Sequence, residues 1–200
     1  MKLISHRRNT IAELRATDPK YGVEVDIRSE GGGLIIQHDP FVSGESFEAW
    51  IESYRHQTLI LNVKEEGLEA RLIDLMASKG ISDYFFLDQS FPFLVKYANV
   101  GESRCAVRIS EFESIDTALT LSGKVDWVWV DCFTEFPLSE EDALRLKKAG
   151  FKLCLVSPEL QGRVAETEIP ALFLLLRARN IESHAVCTKR PDLWEKALLS

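Results

Sequence analysis

Apolar and polar residues alternate along GVEVDI (22–27), with Val23, Val25 and Ile27 on one face of an extended chain and Glu24 and Asp26 on the other. The same period, or a short aliphatic run, recurs at KLISH (2–6), TLILNVK (58–64), YFFLD (84–88), CAVRIS (105–110), WVWVD (127–131), KLCLVS (152–157) and HAVCTK (184–189). These segments predict eight β-strands. Helical spacing or composition fills the intervals at 11–16, 46–54, 68–78, 92–98, 115–121, 140–149, 170–179 and 191–199. Ser139, three residues before Asp142, marks one helix start, and Gly150 marks the end of the same helix.

Regular alternation of strands and helices predicts an α/β fold with parallel strands joined by helical crossovers. Eight units suit a compact (β/α)8 TIM barrel near the lower size limit of about 200 residues. The expectation is one barrel domain over 1–200. A doubly wound open sheet is the alternative, but no GxGxxG follows the first strand. Gly31, Gly32 and Gly33 precede LIIQ rather than a helix, so they read as the turn of a short hairpin extension after strand 2.

Composition narrows the function classes. At 46% hydrophobic, the 200 residues can bury a sizeable core. A net charge of −7 disfavours nucleic acid and anionic membranes as partners. The start MKLISHRRNT is too polar for a secretion signal or an anchor, and no apolar run approaches a membrane span. Cys105, Cys132, Cys154 and Cys187 sit singly in strand-like runs, as buried reduced thiols do, and a cytoplasmic location is expected. Trp127 and Trp129 share the face of Asp131 and are expected to pack inside the barrel.

Barrel enzymes build their sites at the C-terminal ends of the strands. Those ends carry His6 and Arg7, Glu24 and Asp26, His38 and Asp39 on the hairpin, Asn62 and Lys64, Asp88, Arg108, Asp131, and Ser157 with Glu159. One mouth would thus gather two histidines, several carboxylates and three cations. The acid pair admits three readings: a solvated strand face, a set of ion pairs, or a metal site. Phosphodiester cleavage suits the whole group best. Arg7, Lys64 and Arg108 can offset charge on phosphate oxygens, and His6 and His38 can exchange protons near neutral pH. Hard carboxylate oxygens favour Mg²⁺ or Ca²⁺. The partner expected is a small-molecule phosphodiester.

The motifs SHRRNT, GVEVDIR, GLIIQHDP, LILNVK, LDQSF and AVCTKRPD, in this order over nearly the whole chain, resemble the glycerophosphodiester phosphodiesterase family of phospholipase C-like barrels. The resemblance implies His6 and His38 as the acid/base pair, Glu24, Asp26 and the position of Asn62 as metal ligands, and Arg7 and Lys64 on the phosphate. It also implies attack by an internal hydroxyl, giving a cyclic phosphate. Arg8 stands where the family has Gly, and Asn62 where it has a third acid, with Asp88, Asp131 or Glu159 as candidates to compensate from neighbouring strands. Two further readings follow from that change. One is a metal-free variant with Arg8 or Arg108 as the fixed cation; the other is a non-catalytic barrel that binds phosphodiesters or a protein partner.

Overall fold

In a computed structural model, which describes residues 1–199, the chain forms a (β/α)8 barrel. The barrel strands are β1 (Lys2–Ser5), β2 (Gly22–Glu30), β5 (Leu59–Val63), β6 (Tyr84–Leu87), β7 (Ala106–Ile109), β8 (Trp127–Val130), β9 (Lys152–Val156) and β10 (Ala185–Thr188). Neighbours pair in parallel around the ring, β10 returning to β1 with Ser5 opposite Thr188. Only a bridge between Phe86 and Cys105 joins β6 to β7. Strand β3 (Gly33–Ile36) folds back antiparallel on β2 as the expected hairpin, and β4 (Glu45–Ser46) pairs with β3. Gly31 and Gly32 take φ of 55° and 82°, left-handed conformations that a tight hairpin turn demands and side chains resist.

The helices are α1 (Ile11–Ala16), α2 (Phe47–Ile51), α3 (Glu69–Ser78), α4 (Phe91–Asn99), α5 (Ile115–Leu119), α6 (Glu140–Lys148), α7 (Ala165–Ala178) and α8 (Pro191–Leu198). Ser139 and Asp142 form the reciprocal cap anticipated for α6. Helix α7 starts five residues earlier than its proline suggested. Its buried stripe Ala165, Ile169, Leu172 and Leu176 runs straight past Pro170, whose missing N–H faces only the first turn.

Strand alternation sorts the apolar residues into two clusters. Val23, Val25, Ile27, Leu59 and Leu61 face outward and pack with helix residues including Leu14, Trp50, Leu72, Leu146, Ile169 and Trp194. Ile4, Ile60, Phe85, Trp127, Trp129, Cys154 and Cys187 fill the barrel interior, where the Phe85 and Trp127 rings stack at 4.5 Å. Both tryptophans therefore serve packing, as expected. All four cysteines are buried and unpaired. Strand β2 departs from this pattern. Its inward positions carry Gly22, Glu24 and Asp26, so it brings acids where the other strands bring apolar filling.

Candidate active site at the C-terminal mouth

The acid pair is not a solvated strand face. Glu24 is 1% exposed and Asp26 is fully buried, and side chains from three neighbouring segments converge on them. After β1 the chain turns sharply, with Arg7 at φ 50°, a conformation rare outside glycine and found at over-determined sites. The turn aims the Arg7 backbone N–H at Glu24 Oε2 (2.7 Å), and the Arg8 N–H donates to the Glu24 carbonyl (2.8 Å). Trp50 of α2 holds the turn from outside, its indole N–H donating to the Arg8 carbonyl at 2.9 Å. The His6 ring stands with Nε2 3.9 Å from Glu24 Oε2.

Asp26 is held by Asn9, which donates from Nδ2 to Oδ2 at 2.8 Å and accepts the Asp26 backbone N–H at 3.1 Å. Arg7 Nε lies 3.5 Å from Asp26 Oδ2, and Lys64 Nζ lies 3.3 Å from Oδ1. From β5, directly opposite Asp26 in register, Asn62 donates its Nδ2 hydrogen to Glu24 Oε1 at 2.8 Å. His38 follows the β2–β3 hairpin and is half-exposed; its Nδ1 is 2.7 Å from Asp39 Oδ1. Arg28 fixes that loop by donating to the His38 carbonyl (3.0 and 3.2 Å) and the Lys64 carbonyl (3.1 Å).

The ring of polar side chains continues around the barrel. Asp88, itself at φ 60°, pairs with Lys64 Nζ at 3.0 Å and with Arg108. Arg108 also reaches Asp131 at 3.4 Å, and Gln161 donates to Asp131 at 2.5 Å. Glu159 accepts from the Ser157 and Thr188 hydroxyls and from the Lys189 N–H. Every barrel strand thus delivers polar groups to this end. The three expected phosphate cations are all here, and each already faces a carboxylate.

Electrostatics separates the titratable groups. Burial, then the charges of Arg7, Lys189, Lys64 and Arg8, lowers His6 to about 3, so its imidazole is neutral at ordinary pH. Burial, then the neighbouring Asp26 charge, raises Glu24 to about 7. Burial also pulls Asp88 upward, but Lys64 and Arg108 outweigh it and hold that carboxyl below its ordinary value.

Asn62 Oδ1 is a buried oxygen without a hydrogen-bond partner, and Asp26, opposite it in register, turns to it an Oδ1 that meets only the Lys64 ammonium, outside hydrogen-bond geometry. Two carboxylates with strained charge and an amide oxygen fit a cation of the Mg²⁺ or Ca²⁺ kind. The acids that were candidates to compensate for Asn62 each meet other groups: Asp88 pairs with Lys64 and Arg108, Asp131 with Arg108 and Gln161, and Glu159 with the Ser157 and Thr188 hydroxyls. Among the described residues no group of three His, Cys, Asp or Glu could hold a metal ion.

Sequence reading missed Asn9, Arg28 and Trp50. Arg28 continues the 24–26–28 alternation and was legible on that ground. Asn9 and Trp50 act through a turn whose shape only the folded chain defines. A second cavity, of about 620 Å³, opens at the opposite end of the barrel. Its charges already pair among themselves, Lys2 with Asp83 and Arg104 with Glu102, as at a stability face.

The sequence matches no family profile and no curated protein. Among solved structures, the fold is similar to a glycerophosphodiester phosphodiesterase from Agrobacterium tumefaciens. The TM-score is 0.68 at 15% identity, over 100% of this chain and 99% of that one. It is also similar to a glycerophosphoryl diester phosphodiesterase from Parabacteroides distasonis, with a TM-score of 0.67 at 10% identity over 99% and 86% of the two chains. The likeness shows the (β/α)8 barrel fold that these two structures share. No described helix is long and apolar enough to cross a membrane.

Proposed function

We propose that this protein is a phosphoric diester hydrolase acting on a glycerophosphodiester-like small molecule, with His6 and His38 as the proton-exchanging pair. The observation that carries the reading is the juxtaposition of neutral His6 with a buried Glu24–Asp26 pair and with Arg7 and Lys64, at the end of the barrel where such enzymes work.

His6 is the base. A neutral imidazole has a free nitrogen for the proton of an attacking hydroxyl, either water or one carried by the substrate, in which case a cyclic phosphate forms; the negative charge of a bound phosphodiester offsets the cations that oppose this protonation. His38 is the acid. The Asp39 carboxylate can only accept, so His38 Nδ1 carries a hydrogen, and the ring so oriented turns Nε2 toward the leaving oxygen, to which it would deliver a proton. Arg7, Lys64 and Arg108 offset the charge on the phosphate oxygens, exchanging part of their carboxylate contacts for the substrate. Glu24, Asp26 and Asn62 would hold Mg²⁺ or Ca²⁺, which when bound supplies further positive charge to the same oxygens.

A second reading keeps the mouth as a binding site without turnover. It is favoured by the self-neutralised cluster, in which Asn62, Arg7 and Lys64 already satisfy the acid pair. Hydrolysis of an aryl phosphodiester with Mg²⁺, with Ca²⁺ and with chelator separates the readings. Cation-stimulated turnover that disappears in His38→Ala supports the hydrolase. Turnover that survives chelation assigns the cation's role to arginine. Binding without turnover, with natural glycerophosphodiesters also inert, establishes the second reading.

A further inference from the structure

The barrel wall has one open seam. Among the described residues, β6 and β7 pair only at the Phe86–Cys105 bridge; beyond it Leu87 pairs with β5 and Ala106 with β8, but the two strands form no ladder with each other. Here a cleft of about 690 Å³ opens between the segments leading into α4 and α5, within the range of about 300–1,000 Å³ usual for small-molecule sites. Asp88 and Arg108 line it and also pair with Lys64 and Asp131 of the mouth, so cleft and mouth share a wall.

The lining indicates what enters. Leu87, Leu94, Ala106 and Val107 are buried aliphatic residues, whereas Phe91 and Phe112 are 47% and 78% exposed on two different loops. Phe112 extends the apolar rim to Phe133 on a third loop, with ring centroids 6.1 Å apart. Of the three charged groups in the lining, Asp88 and Arg108 neutralise each other, and Glu113, at the exposed rim, accepts from the Ser110 hydroxyl. The charge at the rim lies apart from the aliphatic wall, which a polar glycerol or a cationic head group would leave unmatched.

We propose that this cleft takes an alkyl or acyl substituent of the phosphodiester whose phosphate lies at the mouth, making the substrate an amphiphile. The assignment rests on the phosphodiester reading above and deepens it. Each methylene buried in such a cleft is worth roughly fourfold in affinity or kcat/KM.

The test uses the full chain and a series of alkyl p-nitrophenyl phosphodiesters from methyl to octyl. In parallel, calorimetry measures binding of the matching methyl alkyl phosphates, which carry no aryl leaving group. The expected result is kcat/KM rising about fourfold per carbon, roughly sixteenfold per two carbons, until the cleft is filled. Thr117→Trp, an exposed substitution in the lining, then collapses the octyl-to-methyl ratio at least tenfold, and Phe112→Ser lowers it less. A ratio near one in the wild type, or an unchanged ratio in Thr117→Trp, overturns the cleft assignment while leaving hydrolysis intact. A preference for glycerophosphocholine that Thr117→Trp abolishes also overturns it, in favour of a cationic head group. Absence of turnover both here and with glycerophosphodiesters, which carry an internal hydroxyl, together with chain-length-dependent binding, overturns the hydrolase reading and supports the cleft. Neither turnover nor binding overturns both.

Discussion

Asn62 donates its amide hydrogen to Glu24, Nδ2 to Oε1 at 2.8 Å, with both side chains buried. The bond lets two like charges, Glu24 and Asp26, share one strand face without a third carboxylate. It also leaves the amide oxygen without a partner. Asn62→Asp removes the donor and adds a buried charge. Without divalent cation it should cost about 2–3 kcal/mol, the scale of a hydrogen bond to a charged group. Added Mg²⁺ or Ca²⁺ should recover more stability in the variant than in the wild type, because a third carboxylate strengthens the donor set. Thermal denaturation with and without cation measures both effects. If the variant responds to cations no more than the wild type does, these three residues are not a metal site.

Glu24 makes stability pH-dependent in an unusual direction for a carboxyl. Its folded pKa, about 7, lies above the ordinary 4.5, so between those values the folded chain holds a proton that the unfolded chain has released. Stability from this group therefore falls as pH rises from about 4.5 through 7. In chelator, the wild type should lose melting temperature over that window relative to Glu24→Gln, which has nothing to titrate at that position. Parallel pH profiles for the two proteins would refute the assignment.

Histidine replacements separate the proposed roles. His6→Ala and His38→Ala should each lower kcat by about 10²–10⁴, the usual worth of a positioned acid or base. Asp39→Asn should act through His38. Its effect on kcat should be smaller, about tenfold with KM little changed, because the carboxylate fixes the ring by accepting at Nδ1 and exchanges no proton with the substrate. An unchanged kcat in Asp39→Asn would show that Asp39 does not position His38.

The barrel was legible because each strand kept its period. Val23, Val25 and Ile27 had to face one layer and Glu24 and Asp26 the other, and a one-residue slip would have reversed every side chain. The same alternation placed Asn62 with Lys64. The partners of those residues were not legible. That Lys64 bridges Asp26 and Asp88, or that Asn62 turns its amide toward Glu24, depends on the inter-strand register. The pairing of Arg108 was hidden for the same reason: it meets Asp88 and Asp131 only once β6, β7 and β8 lie side by side. The start of α7 was misplaced because Pro170 was taken as a beginning, when the buried stripe from Ala165 was the stronger signal.

Asp88 joins backbone strain to charge, and three substitutions can separate them. Its φ of 60° is tolerated by Asp, Asn and Gly but costs about 1–2 kcal/mol for most other L residues, while its carboxylate sits between Lys64 and Arg108. Asp88→Asn keeps the backbone tolerance and removes the charge. The loss should be about 1–3 kcal/mol for a partly exposed clamp, below the cost of breaking a fully buried pair. Asp88→Ala should lose about 1 kcal/mol more than Asp88→Asn because strain is added, and Asp88→Gly should recover part of that difference. The depressed folded pKa fixes the sign with pH. The carboxylate stabilises above its ordinary value of 3.8, and that advantage fades as pH falls through the lower folded value. The gap between wild type and Asp88→Asn in urea denaturation should therefore be full at pH 7 and shrink below pH of about 4. Equal stabilities for the Ala and Gly variants would show that the left-handed backbone costs nothing here, and an unchanged Asp88→Asn would remove the clamp from the energetics of the mouth.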